Sequence, residues 1–278
     1  MRGLPEAALL EDMERRTGKR CCEIFDHISG TSIGGIVAAL LAVGMPANQA
    51  VKFFIQDGPN IFKKHWWRSF GLFCPRYPAA PIERVLQARL AGLKILDCKT
   101  HLLITSLDLV IQEPFFFKSY DMTPNYFLWQ VARATSAAQT YFPAFELNGR
   151  MLWDGGNVAN NPAVCAVADA TNIWKGERLK ILSLGCGTEM AKINPRRMKN
   201  AGIIRAGLAT VQMLFETGSE DVDYQLEKSF GDDYLSLQPE FPKNVDLDDA
   251  SPLGLKWLTA AANQFVTEHG AEVEKFIS

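Results

Sequence analysis

The sequence predicts an α/β fold, a three-layer arrangement in which a central, mostly parallel sheet lies between helices on both faces. Short apolar runs that are typical of buried strands alternate with segments of helical periodicity along the chain. The chain has 278 residues, of which 47% are hydrophobic, and this length suits one large domain with a sizeable core. No internal repeat, low-complexity tract or linker divides it, so we expect one domain over residues 1–278.

Periodicity and end signals predict the elements of the first half of the chain. An amphipathic helix is expected at 4–20, with Gly18 as its C-terminal cap. An apolar strand at 22–29 then runs through a glycine turn into an apolar helix at 33–44, which Gly44 ends. A short helix at 47–56, an irregular segment at 57–80 and a helix at 83–92 follow in that order.

The second half of the chain continues the same alternation of strands and helices. Strands are expected at 101–110, 114–120, 150–156 and 179–188. Helices are expected at 124–139, 161–174, 200–229 and 255–277. This alternation favours a largely parallel sheet that is covered on both faces.

Composition excludes several classes of protein. The net charge of −2 provides no global attraction to nucleic acid, so no nucleic-acid partner is expected. The six cysteines lack the spacing of a metal site, which favours free thiols in a reducing compartment. No apolar run reaches the roughly 20 residues that span a bilayer, and the charged first twenty residues do not resemble a signal peptide. We therefore expect a cytoplasmic protein.

The pentapeptide from Gly30 to Gly34 fits the pattern G-x-S-x-G, with Ser32 at its centre. It joins an apolar strand to an apolar helix, which is the context that a nucleophilic serine at a sharp turn requires. We expect the glycines on either side to be needed because the turn leaves no room for a Cβ atom. The helix N-terminus, and the N–H of Ile33 first, would then stabilise a developing oxyanion.

Two other interpretations of this turn stay open from the residues alone. A glycine-rich turn between strand and helix can serve only to allow close packing. A phosphate-binding loop is the other alternative, although the segment lacks the lysine of a P-loop and the spacing of a dinucleotide-binding motif.

A base for the serine is predicted in the segment LWDGGNVANNP at residues 152–162. Asp154 ends a short apolar strand there, so its carboxylate is expected to open into the crevice in which α/β sheets bind ligands. Gly155 and Gly156 follow it and would let the loop approach another stretch of backbone closely.

The segments EIFDHISGTSIGG, ATSAAQTYFPAF, WDGGNVANNP and KILSLGCGT resemble, in this order, the patatin-like phospholipase family over essentially the whole chain. The resemblance implies a patatin-like fold related to the α/β-hydrolases and a Ser–Asp dyad that needs no histidine. Ser32 would be the nucleophile and Asp154 the general base. The reaction implied is hydrolysis of fatty acyl esters of phospholipids or other lipids through an acyl-enzyme, without a cofactor or metal.

The sequence departs from the family pattern at its beginning. The family's oxyanion loop, Asp-Gly-Gly-Gly-x-Arg-Gly, follows a first strand, and only Arg2 and Gly3 match its last two defined positions. The comparison predicts an N-terminally truncated domain with weak activity or none, because loss of one oxyanion donor typically costs roughly 10²–10³ in rate. The alternative function is therefore a catalytically impaired lipid-binding or regulatory relative.

Three further residues, His269, Trp66 and Trp67, have a predicted role with a stated alternative. A Ser–His–Asp triad with His269 is the alternative mechanism, since the order Ser32, Asp154, His269 is that of ordinary α/β-hydrolases. Trp66 and Trp67 lie among lysines and arginines, which is typical of a peripheral contact with a membrane–water interface. The alternative for both tryptophans is packing in the core. The oligomeric state is left open by the sequence.

Overall fold

Strands and helices make up most of the chain in the computed structural model, which describes residues 1–63, 74–121, 124–187, 218–241 and 245–278. The first helix, α1 (Leu4–Thr17), ends at Gly18, whose positive φ of 69° lets its N–H bond back to the carbonyl of Glu14. The other described helices are α2 (Cys21–Ile24), α3 (Ile33–Ala42), α4 (Asn48–Lys52), α5 (Gly58–Ile61), α6 (Ala79–Leu90), α7 (Leu128–Thr135), α8 (Ala163–Ile173), α9 (218–230) and α10 (Pro252–Ile277).

The described strands form one five-stranded mixed sheet and one separate pair. The five strands are β1 (His27–Gly30), β2 (His101–Asp108), β3 (Glu113–Lys118), β4 (Phe145–Leu147) and β5 (Arg150–Asp154). The separate pair consists of β6 (Ile181–Leu184) and β7 (Tyr234–Leu237), which run parallel to each other.

Strand β2 pairs with both β1 and β5, and the ends of these two strands meet beside it. β1 pairs in parallel with the first half of β2, so that Gly30 lies opposite Ile104. β5 pairs antiparallel with the second half of β2, so that Asp154 lies opposite Ser106. Because β3 occupies the other edge of β2, β1 and β5 share one edge and point their C-terminal ends at each other. Their last residues are two positions apart along β2, or about 7 Å at the rise of a strand.

The α/β class is confirmed, but the described main sheet is mixed rather than mostly parallel. Only β1 pairs in parallel there, whereas the pairs β2–β3, β2–β5 and β4–β5 are antiparallel. Short connections explain the pairs β2–β3 and β4–β5, because a parallel crossover needs a dozen or more residues. The turn between β4 and β5 is only two residues long, and both of them, Asn148 and Gly149, have positive φ.

Helices α3 and α7 form the layer on which the site is built. Residues Gly35–Ala42 of α3 are all buried, because the helix is apolar on every side. A Cβ at Gly35 would lie 3.3 Å from Ile104 on β2 and 2.7 Å from Thr135 at the end of α7, so the three elements are in close contact. The assignment of residues 1–278 to one domain stays a prediction.

Some predicted elements differ from the described ones. The single strand expected at 22–29 divides into helix α2 and the short strand β1, because the carboxylate of Glu23 accepts the N–H of Arg20 at 2.7 Å and stabilises a helical turn there. The irregular segment expected at 57–80 contains helix α5, and β4 was not predicted at all. The helix expected at 200–229 lies partly outside the described residues, and its described part is helical from 218.

Candidate active site

Ser32 lies at the sharp turn between β1 and α3. Its backbone has φ 55° and ψ −121°, a conformation that residues with a side chain rarely adopt and that stores strain. A Cβ atom at Gly30 would lie 2.4 Å from the carbonyl oxygen of Gly34, so only glycine fits at position 30. A strained serine and a close backbone approach beside it are the features of a nucleophile elbow.

The second glycine that this turn requires is Gly35 rather than Gly34. No atom lies within 4 Å of a Cβ built at Gly34, whereas one at Gly35 would lie 2.7 Å from Cγ2 of Thr135. The expectation that Gly34 is needed for lack of space is therefore wrong. The reason is that α3 turns Gly35, and not Gly34, toward α7 and β2.

The hydroxyl of Ser32 contacts the carboxylate of Asp154 directly. Ser32 Oγ donates a hydrogen bond to Asp154 Oδ2 at 2.6 Å, although the two residues are 122 positions apart. The other carboxylate oxygen, Oδ1, accepts the N–H of Gly156 at 2.7 Å. A Cβ at Gly155 would lie 2.0 Å from Thr105 Oγ1, so the chain can turn here only with glycine. Both glycines after the aspartate thus help to hold the carboxylate toward Ser32.

Burial gives Asp154 the properties of a base that titrates near neutral pH. Only 5% of the residue is exposed, and desolvation raises the pKa of Asp154 from 3.8 to about 6. The hydrogen bonds from Ser32 and Gly156 oppose this rise because they stabilise the charged form. A general base is most effective when its pKa lies near the working pH.

The first turn of α3 can stabilise negative charge that develops beside Ser32. The first intrahelical bond at this end runs from the N–H of Ile36 to the carbonyl of Ser32. The N–H groups of Ile33 and Gly34 belong to the first turn, where helix geometry supplies no intrahelical acceptor. Together with the helix dipole they form a candidate oxyanion site.

Three threonines at the site were not predicted from the sequence. Thr135 Oγ1 accepts the N–H of Ser32 at 2.8 Å. Thr31 Oγ1 donates to the carbonyl of Ala159 at 2.7 Å and lies 2.8 Å from Thr105 Oγ1. The segment ATSAAQ, which contains Thr135, carries part of the family resemblance, but no local signal in it indicates a contact between Thr135 and Ser32.

Arg2 and Gly3 lie just before α1, and each packs closely against another residue of the chain. The Arg2 Nε donates to the carbonyl of Val245 at 2.7 Å, and the guanidinium lies 5.3 Å from the ring centre of Phe241. Gly3 packs so closely on Phe54 that a Cβ would lie 2.7 Å from its ring. The oxyanion role of Arg2 and Gly3 stays a prediction.

The histidine of the alternative triad lies in the last helix. Nδ1 of His269 is 2.9 Å from Oε2 of Glu272, and its ring packs on Phe265. Ser32 reaches Asp154 without an imidazole between them, which is the contact of a dyad and not that of a triad. His27, on β1, is 3.3 Å from the hydroxyl of Tyr120, and burial lowers the pKa of His27 to about 4.

Other sequence predictions concern residues or groups away from the dyad. Trp66 and Trp67 lie outside the described residues. Over the described ranges, no group of three or more His, Cys, Asp or Glu side chains is arranged to hold a metal ion. Within the same ranges, none of the helices combines the length and the apolar character needed to cross a bilayer.

Comparison with known proteins gives consistent family names. The family model described as patatin-like phospholipase matches residues 1–167. The chain is 29% identical to patatin-like protein 2 of Arabidopsis thaliana, over 83% of this chain and 70% of that protein. It is 26% identical to a cGAMP-activated phospholipase of Pseudomonas aeruginosa, over 91% of this chain and 80% of the relative.

Two further comparisons cover nearly all of this chain and a smaller share of the relative. Calcium-independent phospholipase A2-gamma of Mus musculus is 25% identical over 99% of this chain and 38% of its own length. The crystal structure of VipD from Legionella pneumophila aligns with a TM-score of 0.43 and 12% identity, over 95% of this chain and 65% of that chain. Because the family model matches more than half of its residues, the chain belongs to the patatin-like phospholipase family.

Proposed function

We propose that this chain is a lipid acyl hydrolase of the phospholipase A or lysophospholipase type, in which Ser32 is the nucleophile and Asp154 the general base. The observation that carries the proposal is the 2.6 Å hydrogen bond from Ser32 Oγ to a buried carboxylate oxygen of Asp154. Two independent features support it, namely the strained backbone of Ser32 and the raised pKa of Asp154. Membership of the phospholipase family supports a lipid ester as the substrate.

The first half of the reaction transfers the acyl group to the enzyme. Asp154 Oδ2 takes the hydroxyl proton as Ser32 Oγ attacks the ester carbonyl carbon. The carbonyl oxygen becomes an oxyanion, which the N–H groups of Ile33 and Gly34 stabilise. When the C–O bond breaks, Asp154 returns the proton to the leaving alcohol, and the fatty acyl group stays on Ser32 as an ester.

The second half regenerates the enzyme by hydrolysis. A water molecule gives its proton to Asp154 and attacks the acyl carbonyl carbon. The tetrahedral intermediate collapses, Ser32 Oγ recovers a proton from Asp154, and the fatty acid leaves. The same carboxylate thus acts as base and then as acid in both halves, so no histidine, metal or cofactor takes part in this scheme.

The test is hydrolysis of a short-chain nitrophenyl ester by wild type, Ser32→Ala, Asp154→Ala and His269→Ala. The dyad predicts loss of turnover in the first two variants and little change in His269→Ala. A fluorophosphonate, which labels activated serines, should modify wild type and not Ser32→Ala. Equal ester turnover in wild type and in both dyad variants would remove Ser32 and Asp154 from the mechanism.

A second candidate function is that of a lipid-binding or regulatory protein with impaired catalysis. The observation that favours it is that the Nε of Arg2, a predicted oxyanion donor, donates to the carbonyl of Val245 at 2.7 Å. Binding to phospholipid vesicles without hydrolysis of vesicle lipid or nitrophenyl ester would support this function. Hydrolysis that depends on Ser32 would exclude it.

We also propose a cytoplasmic location with a peripheral membrane contact. All six cysteines are free, which suits a reducing compartment. A lipid hydrolase takes its substrate from an aggregate, and Trp66 and Trp67 have the character of interfacial residues. Replacing both with Ala should weaken binding to phosphatidylcholine vesicles while hydrolysis of a soluble ester is retained. Unchanged vesicle binding would exclude these two tryptophans as the contact.

A further inference from the structure

The C-terminal end of α7 binds the main chain of both dyad residues. Thr135, the last residue of the helix, accepts the N–H of Ser32 through Oγ1 at 2.8 Å. Two residues later, the carbonyl of Ala137 accepts the N–H of Asp154 at 3.1 Å. One buried stretch of three residues therefore contacts the main chain of both the nucleophile and the base.

The side chain of Thr135 contacts the nucleophile turn through both of its branches. The hydroxyl binds the amide of Ser32, and the methyl group lies 2.7 Å from the Cβ position of Gly35. Thr135 has no exposed surface, so water cannot replace a lost acceptor without a rearrangement. A β-branched side chain has few rotamers, and the hydrogen bond from the Ser32 N–H fixes the one that Thr135 adopts.

The hydroxyl of Thr31, next to Ser32, links the same turn to β2 and to the loop after Asp154. Thr31 has one hydroxyl proton, and the carbonyl of Ala159 accepts it. The 2.8 Å contact between Thr31 and Thr105 must then use the proton of Thr105. The resulting chain runs from the hydroxyl of Thr105 to that of Thr31 and on to the carbonyl of Ala159, five residues after the base. It joins the turn before Ser32 to the loop after Asp154.

We propose that the hydroxyls of Thr135 and Thr31 are positioning groups that hold Ser32 in its strained conformation, within hydrogen-bond distance of Asp154. This inference rests on the proposed function of the dyad. Neither threonine touches the reacting atoms, and each acts through the main chain next to them. A displacement of about 1 Å at a reacting group typically costs about 10²-fold in rate, so the loss of one hydroxyl should be visible in kcat.

Matched substitutions separate the hydroxyl from the rest of the side chain. Thr135→Val keeps the shape and removes the acceptor, whereas Thr135→Ser keeps the acceptor and removes the methyl group. Thr31→Val and Thr31→Ser form the second pair. Thr267→Val is the control, because Thr267 is exposed in α10 and donates only to Asn263 of its own helix.

The main measurement is the turnover rate divided by the concentration of reactive serine. The number of sites is titrated with a fluorophosphonate, and kcat and KM are measured with a soluble short-chain ester. Thr135→Val should lower kcat roughly 10- to 100-fold and change KM less than about threefold, since the substrate contacts are intact. Thr135→Ser and Thr267→Val should stay within about threefold of wild type in both constants.

The pH profile provides a readout that a merely structural role would not change. The hydrogen bond from Ser32 lowers the pKa of Asp154, so a variant that displaces Ser32 should titrate at higher pH. Thr135→Val should therefore shift the acid limb of kcat upward, while Thr135→Ser keeps the wild-type limb. Amide exchange of the segment 31–36 should also become faster in Thr135→Val, because the N–H of Ser32 has lost its acceptor.

Each outcome decides one of the two proposals. Wild-type kcat in Thr135→Val, or an equal loss in Thr135→Val and Thr135→Ser, would overturn the positioning role. If Thr135→Val does not fold, wild-type kcat in Thr31→Val overturns it. If Ser32→Ala is as active as wild type, the proposed dyad fails. Should wild type have no ester turnover at all, unchanged amide exchange at 31–36 in Thr135→Val would still overturn the positioning role.

Discussion

Gly30 and Gly34 belong to the same motif, and the structure predicts that Gly30→Ala destabilises the protein whereas Gly34→Ala does not. The Cβ added at Gly30 would lie 2.4 Å from the carbonyl oxygen of Gly34, 2.6 Å from its carbonyl carbon and 2.7 Å from the N of Gly35. All three are backbone atoms of α3 that no rotamer change can move away. Relief to an ordinary contact of about 3.5 Å requires the turn to open by about 1 Å.

The expected magnitudes follow from this displacement. Overpacking of a rigid site typically costs 1–3 kcal/mol, and the upper end corresponds to a fall in Tm of roughly 5–10 °C for a domain of this size. Opening the turn also moves Ser32 relative to Asp154, so ester turnover should fall about 10²-fold in the protein that stays folded. Gly34→Ala is the matched comparison for stability, because its Cβ meets no atom within 4 Å.

Thermal unfolding by circular dichroism and ester hydrolysis at 15 °C, where both variants are folded, provide the measurements. Gly30→Ala should lose stability and turnover together, while Gly34→Ala should keep or raise the Tm, since Ala favours a helix over Gly. Equal Tm values for the two variants would refute the argument, because they would mean that the turn has as much space at position 30 as at position 34.

The remaining predictions concern the base and the loop after it. Ester turnover should fall about tenfold per pH unit below the Asp154 pKa of about 6, as the carboxylate is protonated, and a flat profile from pH 4 to 8 would contradict this. Asp154→Asn should lower turnover at least 10²-fold, and fluorophosphonate labelling of Ser32 should fall with it. The same variant should raise the Tm at pH 8 but not at pH 4. The pKa of Asp154 is higher in the folded than in the unfolded protein, so the charged carboxylate lowers the stability of the fold above pH 6. At pH 4 the folded protein carries a neutral Asp154, and removal of the charge by Asn brings no gain. Gly155→Ala should prevent folding or lower the Tm by several degrees, because its Cβ would lie 2.4 Å from the carbonyl oxygen of Thr105; a wild-type Tm would contradict it.

Local chemistry explains what could be predicted about the elements. The apolar helix α3, the glycine cap of α1 and the strand before Asp154 each depend on residues that are near one another in sequence. The division of 22–29 into α2 and β1 also has a local cause, the hydrogen bond from the N–H of Arg20 to the Glu23 carboxylate, which the apolar pattern does not reveal. The antiparallel direction of β5 could not be read from the same pattern, since periodicity reports burial and not strand direction.

The candidate site shows the same division between local and distant causes. Ser32 and Asp154 were predicted because each stands in a short motif with its own steric logic. Thr135 was missed because its contact with the N–H of Ser32 spans 103 residues and leaves no local signal. Gly35 was missed in favour of Gly34 because the motif counts positions, whereas the packing of α3 on α7 decides which position lacks space.

The sequence by itself determined that a serine stands between a strand and a helix and that an aspartate ends another strand, since both follow from the steric properties of nearby residues. Only the tertiary structure decided that these two side chains meet. Their contact depends on β1 and β5 sharing one edge of β2 with their ends facing each other. Strand register and burial arise from contacts between distant residues, and the same contacts desolvate Asp154 and raise its pKa.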